Sequence, residues 1–276
     1  LINYHKRCQS RPDQLGKRLL DKISLDFLKE TARLAGDEIL DVYGTEFSVD
    51  IKEDNSPLTQ ADQRGNDVIV ARLEAEYPDI PIISEETKAT EYAERKDWEY
   101  FWLVDPLDGT KEFVKRNGEF TVNIALIHRD TPAAGVVFQP VADRMYWASQ
   151  GAGAWRSVAG GEAEKLTGGP HYTDKDEITV VASRSHLTDA VQAFVDDLKA
   201  KGKSVEFLSA GSSLKLCLVA EGEADVYPRL GPTMEWDTGA SHAIALEAGR
   251  KVLNHENGQP LLYNKENLLN PFFMVE

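Results

Sequence analysis

Apolar residues recur at helical spacing twice in the first third of the chain. Leu28, Ala32, Ala35 and Ile39 predict a helix from about Ser24 to Tyr43, with Ser24 as N-cap and Gly44 just past the end. Ala61, Gly65, Ile69 and Leu73 predict a second helix from near Gln60 to Tyr77, where Pro78 stops it. Between them runs a polar loop, Lys52-Glu53-Asp54-Asn55-Ser56-Pro57-Leu58-Thr59. The pattern then shortens its period. Ile80 to Ile83 predicts a short strand ending in Ser84-Glu85-Glu86. Tyr100 to Val104 is continuously apolar, as a buried strand is, and it stops at Asp105-Pro106. Phe120, Val122, Ile124 and Leu126 alternate with other residues, which predicts a half-buried strand. The stretches 135–139, 145–149 and 153–156 continue as a meander.

Residues 157 to 176 are rich in Gly and charge and carry no period, so a domain boundary is expected there. Beyond it strands and helices alternate. Strands are predicted at 179–182, 205–208, 224–227 and 251–253, and helices at 186–201, 212–221 and 237–249. Such alternation predicts a largely parallel sheet covered by helices. The expected organisation is a flexible basic extension (1–23), an α+β domain with an antiparallel sheet (24–156) and an α/β domain (157–276).

Composition narrows the class. The chain has 276 residues, 42% hydrophobic and 28% charged, which is ordinary for one large or two smaller folded domains. No apolar run approaches the roughly 18 residues of a membrane span. The net charge of −15 repels phosphate backbones and argues against nucleic acid as a partner. A small anionic substrate stays admissible where cations receive it. Cys8 and Cys217 are far apart with no C-x-x-C. That argues against a disulfide framework and a structural zinc site, and it fits a reducing, cytoplasmic compartment. Peripheral membrane association stays open. In residues 1–23, Lys6, Arg7, Arg11, Lys17, Arg18 and Lys22 outnumber Asp13 and Asp21. This segment is expected to be loosely docked, a transit peptide being the alternative.

The densest chemistry lies in Trp102-Leu103-Val104-Asp105-Pro106-Leu107-Asp108-Gly109-Thr110. A strand end followed by Pro and Asp-Gly is ordinary turn chemistry. The same turn also suits the aiming of Asp105, Asp108 and the Leu107 carbonyl at one hard cation. Taken singly, Glu85 and Glu86 read as a solvated strand end, Asp54 as a turn former, and Asp237 as a helix N-cap. If such acids do converge, two carboxylates about 4 Å apart repel by about 4 kcal/mol at an effective dielectric of 20, so the cluster needs cations. Cys217, Trp98, Trp147 and Trp155 read as packing, and Tyr227 and Trp236 read as buried core. His128, His171, His242 and His255 show no ligand spacing.

Asp105-Pro106-Leu107-Asp108-Gly109-Thr110, with Glu85-Glu86 upstream and Trp236-Asp237 downstream, resembles the inositol monophosphatase superfamily of lithium-sensitive, magnesium-dependent phosphatases. Asp54-Asn55-Ser56-Pro57-x-Thr59-x-Ala61-Asp62, Gly109-Thr110-Lys111-Glu112-Phe113, Gly211-Ser212-Ser213-Leu214-Lys215 and Tyr227-Pro228-Arg229 look like its 3′(2′),5′-bisphosphate nucleotidase branch. Inositol monophosphatases more usually carry Thr-Asn-Phe after Asp-Gly-Thr. The resemblance runs from about residue 25 to the end. One departure is Gly239-Ala240-Ser241, where the family usually has Ala-Ala-Gly. All these residues are small, so close backbone approach is retained.

The resemblance implies a layered αβαβα sandwich, α+β then α/β, with the active site between the halves. It implies two to three Mg²⁺ ions. One sits between Glu85, Asp105 and the Leu107 carbonyl, and a second between Asp105, Asp108 and Asp237. A weaker third lies near Glu85 and the loop of Asp54 and Asp62. It implies that Thr110, held by Asp54 and helped by Glu85, orients and deprotonates the attacking water. Asp108, Gly109, Thr110 and Asp237 are expected at the scissile phosphate. His186, Ser212, Lys215 and Arg229 are expected at the ribose and second phosphate. For Tyr227 and Trp236, stacking near a base is the alternative to buried core. The implied reaction is 3′-phosphate removal from adenosine 3′,5′-bisphosphate, giving AMP, with 3′-phosphoadenylyl sulfate as a second substrate, in sulfur assimilation. The competing expectations are an inositol phosphate phosphatase and a non-catalytic, metal-dependent binding protein. A homodimer is admissible.

Overall fold

The computed structural model describes residues 19–51, 57–88, 90–182 and 188–276. Helix α1 (Leu25–Tyr43) begins where the Ser24 hydroxyl accepts the Phe27 N–H at 3.1 Å, and it buries Leu28, Ala32, Ala35 and Ile39. A short antiparallel pair, β1 (Asp50–Ile51) and β2 (Pro57–Leu58), leads to α2 (Gln60–Glu76), which buries Ala61, Gly65, Ile69 and Leu73. Of the expected extension, residues 1–18 lie outside the described residues. Leu19, Leu20 and Ile23 pack on the core beneath α1, so its last residues are docked.

Strands β3 (Ile82–Ser84), β4 (Tyr100–Asp108), β5 (Thr121–His128), β6 (Thr131–Gln139), β7 (Arg144–Ser149), β8 (Gly153–Val158) and β9 (Glu164–Leu166) form one seven-stranded sheet in chain order. β3 and β4 are parallel, and every later neighbour pair is antiparallel. Two short helices, α3 (Tyr92–Arg95) and α4 (Thr110–Val114), lie beside β4 in sequence. β9 falls inside the aperiodic stretch 157–176 and extends this sheet.

The second half contains β10 (Glu177–Ala182), α5 (Asp189–Ala200), β11 (Ser204–Ser209), α6 (Leu214–Glu221), β12 (Tyr227–Arg229), α7 (Gly239–Glu247), β13 (Val252–Asn254) and β14 (Phe273–Val275). β10 and β11 are parallel, and a parallel bridge from Val180 to Val226 carries the same direction to β12. The expected largely parallel sheet is corrected at one place. β14 lies between β12 and β13 and runs against both. It arrives through an irregular stretch with no helical crossover, which leaves antiparallel pairing open to it.

Packing gives five layers: α1 and α2, the large sheet, α6 and α7, the second-half strands, and α5. α7 crosses β5 to β8 on the face opposite α1. Consequently β5 is buried from Thr121 through Ile127, which corrects the half-buried strand read from its alternation. Phe120, Val122, Ile124 and Leu126 face one core, while Ala125 and Ile127 face the other. Each such Leu, Ile or Phe contributes about 1.5–3 kcal/mol by leaving water. Close approach depends on Gly135 of β6, where a Cβ would lie 2.3 Å from the Ala240 carbonyl oxygen. The small Gly239-Ala240 pair thus seats α7 on the sheet. Among the described residues, no helix is long and apolar enough to cross a membrane.

Candidate active site

Parallel pairing puts the C-terminal ends of β3 and β4 side by side. Glu85 follows β3 directly, and its N–H donates to the Val104 carbonyl at 3.1 Å. Asp105 lies on β4 and is buried. Asp237 sits in the turn before α7, which brings it over the same strand ends. Carboxylate oxygens of Glu85, Asp105 and Asp237 lie within 4.8 Å of one another. Burial pushes the Asp105 carboxyl well above the usual carboxylate range, and the charges of Glu85, Asp108, Asp237 and Asp62 push it further. Burial also raises Asp237, with Asp108 and Glu85 adding to it, while the Met234 N–H at 2.9 Å and Arg229 oppose the rise.

Asp62 has a double task. Thr59 caps α2 reciprocally with it: Asp62 Oδ2 accepts the Thr59 N–H at 2.8 Å and the Thr59 hydroxyl at 2.7 Å. That cap leaves Asp62 Oδ1 to accept the Thr110 hydroxyl at 3.1 Å. The expected partner of Thr110, Asp54, lies outside the described residues. The carboxylate that holds Thr110 in the structure is Asp62, placed among the metal ligands by expectation. The Thr59-x-x-Asp62 spacing is the sequence signal for this geometry.

β4 breaks its pairing with β5 between Asp105 and Asp108. There the Leu107 N–H turns back to Asp105 Oδ1 at 3.1 Å. Asp108 Oδ2 accepts the Ser213 N–H and the Ser213 hydroxyl, both at 2.6 Å, and the Asn123 amide at 3.3 Å. Ser213 Oγ also lies 2.7 Å from the Asp237 carbonyl oxygen. Ser213 and Asn123 therefore tie the two halves together at the site, and neither is in the expected set. The available signals are a second serine beside Ser212 and a lone Asn inside a strand buried on both faces. Gly109 opens α4 with φ of 94°, a left-handed value that L side chains rarely adopt.

A cavity of about 450 Å³ adjoins the acids, lined by Asp108, Gly109, Ser212, Lys215, Arg229 and Asp237 among others. Lys215 is buried on α6 and donates to the Ser212 carbonyl at 2.7 Å. Burial pulls its pKa down to about 8; Asp108, Glu112 and Glu119 oppose that fall, and Arg229 adds to it. Arg229 donates through Nη2 to the Pro232 carbonyl at 2.7 Å, and its buried Nε finds no partner among the described residues. Tyr227 is buried, as expected of core, and also lines this cavity, where the alternative of stacking near a base would place it. His186 lies outside the described residues.

The cluster fits a divalent cation. Its donors are carboxylate oxygens without His or Cys, the set that hard ions such as Mg²⁺ prefer. Asp105 and Asp237 are raised first by burial and then by neighbouring carboxylates, and a bound cation would oppose both causes.

Layers in this order, with acids converging between two halves, define a phosphatase class, and the chain belongs to the inositol monophosphatase family, whose sequence profile matches residues 23–271. Within that family, the chain is 47% identical over 254 residues to the 3′(2′),5′-bisphosphate nucleotidase CysQ of Shigella flexneri, covering 91% of this chain and 98% of that protein. It is 46% identical to CysQ of Escherichia coli strain K12 over the same shares. The crystal structure of CysQ from Bacteroides thetaiotaomicron superposes with a TM-score of 0.81 at 45% identity, covering 92% of this chain and 98% of that one.

Proposed function

We propose that this chain is a divalent-metal-dependent 3′(2′),5′-bisphosphate nucleotidase. It removes the 3′-phosphate of adenosine 3′,5′-bisphosphate and leaves AMP, with 3′-phosphoadenylyl sulfate as a second substrate. The observation that carries this reading is the meeting of two opposite demands at one cavity. Glu85, Asp105 and Asp237 call for cations, and Lys215 and Arg229 stand on the wall of the adjoining cavity for an anion. A substrate with two phosphates answers both. The CysQ names of relatives about 46% identical over most of the chain support the same substrate class.

Glu85, Asp105 and Asp237 would hold Mg²⁺, with Asp108 and the Leu107 carbonyl beside them. When bound, the cations supply charge against the phosphoryl oxygens and lower the pKa of water. The Thr110 hydroxyl, fixed by Asp62, orients the attacking water. The water oxygen bonds to phosphorus, the bond to the 3′-oxygen breaks, and that oxygen keeps the electron pair and ends with the proton that the water gives up. Lys215 and Arg229 grip the second phosphate, the Arg fork suiting bidentate contact. A reducing, cytoplasmic setting accords with the free, buried Cys217 thiol.

The test is phosphate release from adenosine 3′,5′-bisphosphate, 3′-phosphoadenylyl sulfate, 3′-AMP and inositol 1-phosphate, each with Mg²⁺ and with a chelator. Release is expected to need Mg²⁺ and to be fastest with the adenosine bisphosphate. Faster release from inositol 1-phosphate would assign the inositol branch. Absence of release from every ester would make the chain a binding protein.

A further inference from the structure

We propose that Glu235 is a positioning residue that presets the Asp237 loop from behind the site, a role that rests on Asp237 being a cation ligand. Glu235 is fully buried and does not line the substrate cavity. Its Oε2 accepts the Asn264 N–H at 2.7 Å, and its Oε1 accepts the Lys265 N–H at 3.0 Å and the Lys265 ammonium at 2.5 Å. Its backbone is held as well. The Glu235 N–H donates to the Leu268 carbonyl at 2.9 Å, and the Glu235 carbonyl accepts the N–H groups of Thr238 at 3.2 Å and Gly239 at 3.0 Å. Chain on both sides of Asp237 is therefore anchored to one residue. Asn270 closes the same loop, donating to the Met234 carbonyl at 2.8 Å and to Thr238 Oγ1 at 3.1 Å.

The clamp also reaches the chain that follows Glu85. Buried Arg95 donates to Asn264 Oδ1 at 2.7 Å, to the Lys265 and Glu266 carbonyls at 2.8 and 3.0 Å, and to the Thr90 carbonyl at 3.1 Å. Asn264 returns a bond to the Arg95 carbonyl at 2.8 Å. Thr90 and Arg95 belong to the connection between Glu85 and β4. One network thus holds the segment after Glu85 and the segment around Asp237, two acids from opposite halves whose charges repel. A buried ion pair adds little net stability, because desolvation offsets the attraction. What Glu235 and Lys265 fix is geometry: an acid loop held where a cation will need it.

The bland alternative is that Glu235 only fastens the 264–270 loop to α7. Glu235→Gln in the full chain separates the two. It keeps the shape of the side chain and sets an amide against Lys265. Binding of Mg²⁺ alone is measured by calorimetry, beside a metal-free thermal melt and the Mg²⁺ dependence of phosphate release. Mg²⁺ binding is expected to weaken about tenfold, the scale seen when groups that orient metal ligands are changed. The Mg²⁺ needed for half-maximal release is expected to rise with it, while KM at saturating Mg²⁺ stays unchanged. Wild-type Mg²⁺ affinity in a variant that melts lower would overturn the proposal. If Glu235→Gln does not fold, Lys265→Met decides by the same readouts: a smaller shift in the same direction supports the role, and no shift overturns it. Failure of the wild type to bind Mg²⁺ would instead overturn the metal reading of the site.

Discussion

The two halves bury opposite charges at their shared mouth. In the first half Asp105 is 1% exposed and its carboxyl is pushed up; in the second Lys215 is 6% exposed and its ammonium is pulled down to about 8. The dominant cause is the same in both, loss of water around an ionisable group. Neither charge, taken out of water, helps the protein fold. On the proposed reading each meets a complement from outside, a cation for the acids and a phosphate for the lysine. The acids stand at strand ends, where two parallel strands deliver them together. The cations stand on α6 and at the end of β12, outside the large sheet. On the proposed reading, the reaction and the choice of substrate are carried by separate elements, with Asp237 crossing over to join the acids.

Asp105→Asn tests the acid side most severely. It is expected to lower kcat by about three orders of magnitude, the loss of several kcal/mol of charge stabilisation. The fold should gain. A carboxyl raised in the folded state contributes most below the unfolded value of about 3.9 and less as pH rises toward the folded value. Near neutral pH, without metal, Asp105 therefore costs stability, and the Asn variant should melt no lower than the wild type. Near-normal turnover would break the division between the halves.

Arg229→Ala tests the cation side. Losing charge-assisted bonds to one phosphate is expected to raise KM for adenosine 3′,5′-bisphosphate by about 10–100-fold, with little change for 3′-AMP. Equal effects on the two esters would show that Arg229 serves the reacting phosphate instead.

The smallest effect is in the pH profile. Lys215, faced by Asp108, Glu112, Glu119 and Arg229, is charged below about pH 8 and neutral above it. Since kcat/KM reports the free enzyme, its value for the bisphosphate should fall above about pH 8, by at most about tenfold per unit. 3′-AMP should lack this limb, as should Lys215→Met with either ester. A limb shared by both esters would place the titrating group at the acids.

Local pattern carried much of the molecule. Helices α1 and α2, the apolar β4 and the Asp105-Pro106-Leu107-Asp108-Gly109 turn follow from neighbours a few residues apart, and the family's spaced motifs pointed to Glu85 and Asp237. β14 was silent because three apolar residues after an irregular stretch announce no partner. β5 looked half-solvated because Thr121, Asn123 and Ala125 imitate a solvent face while meeting the second half.

By itself, then, the amino-acid sequence determined the long periodic helices and the apolar strands of the large sheet, which acids and cations are available, and which family they belong to. Tertiary structure alone decided that Asp62 meets Thr110 across 48 positions and that Ser213 meets Asp108 across 105. The reason is physical. Periodicity and turn chemistry act over a few residues, whereas the choice of hydrogen-bond partner across layers is made only when the sheets and helices close on one another.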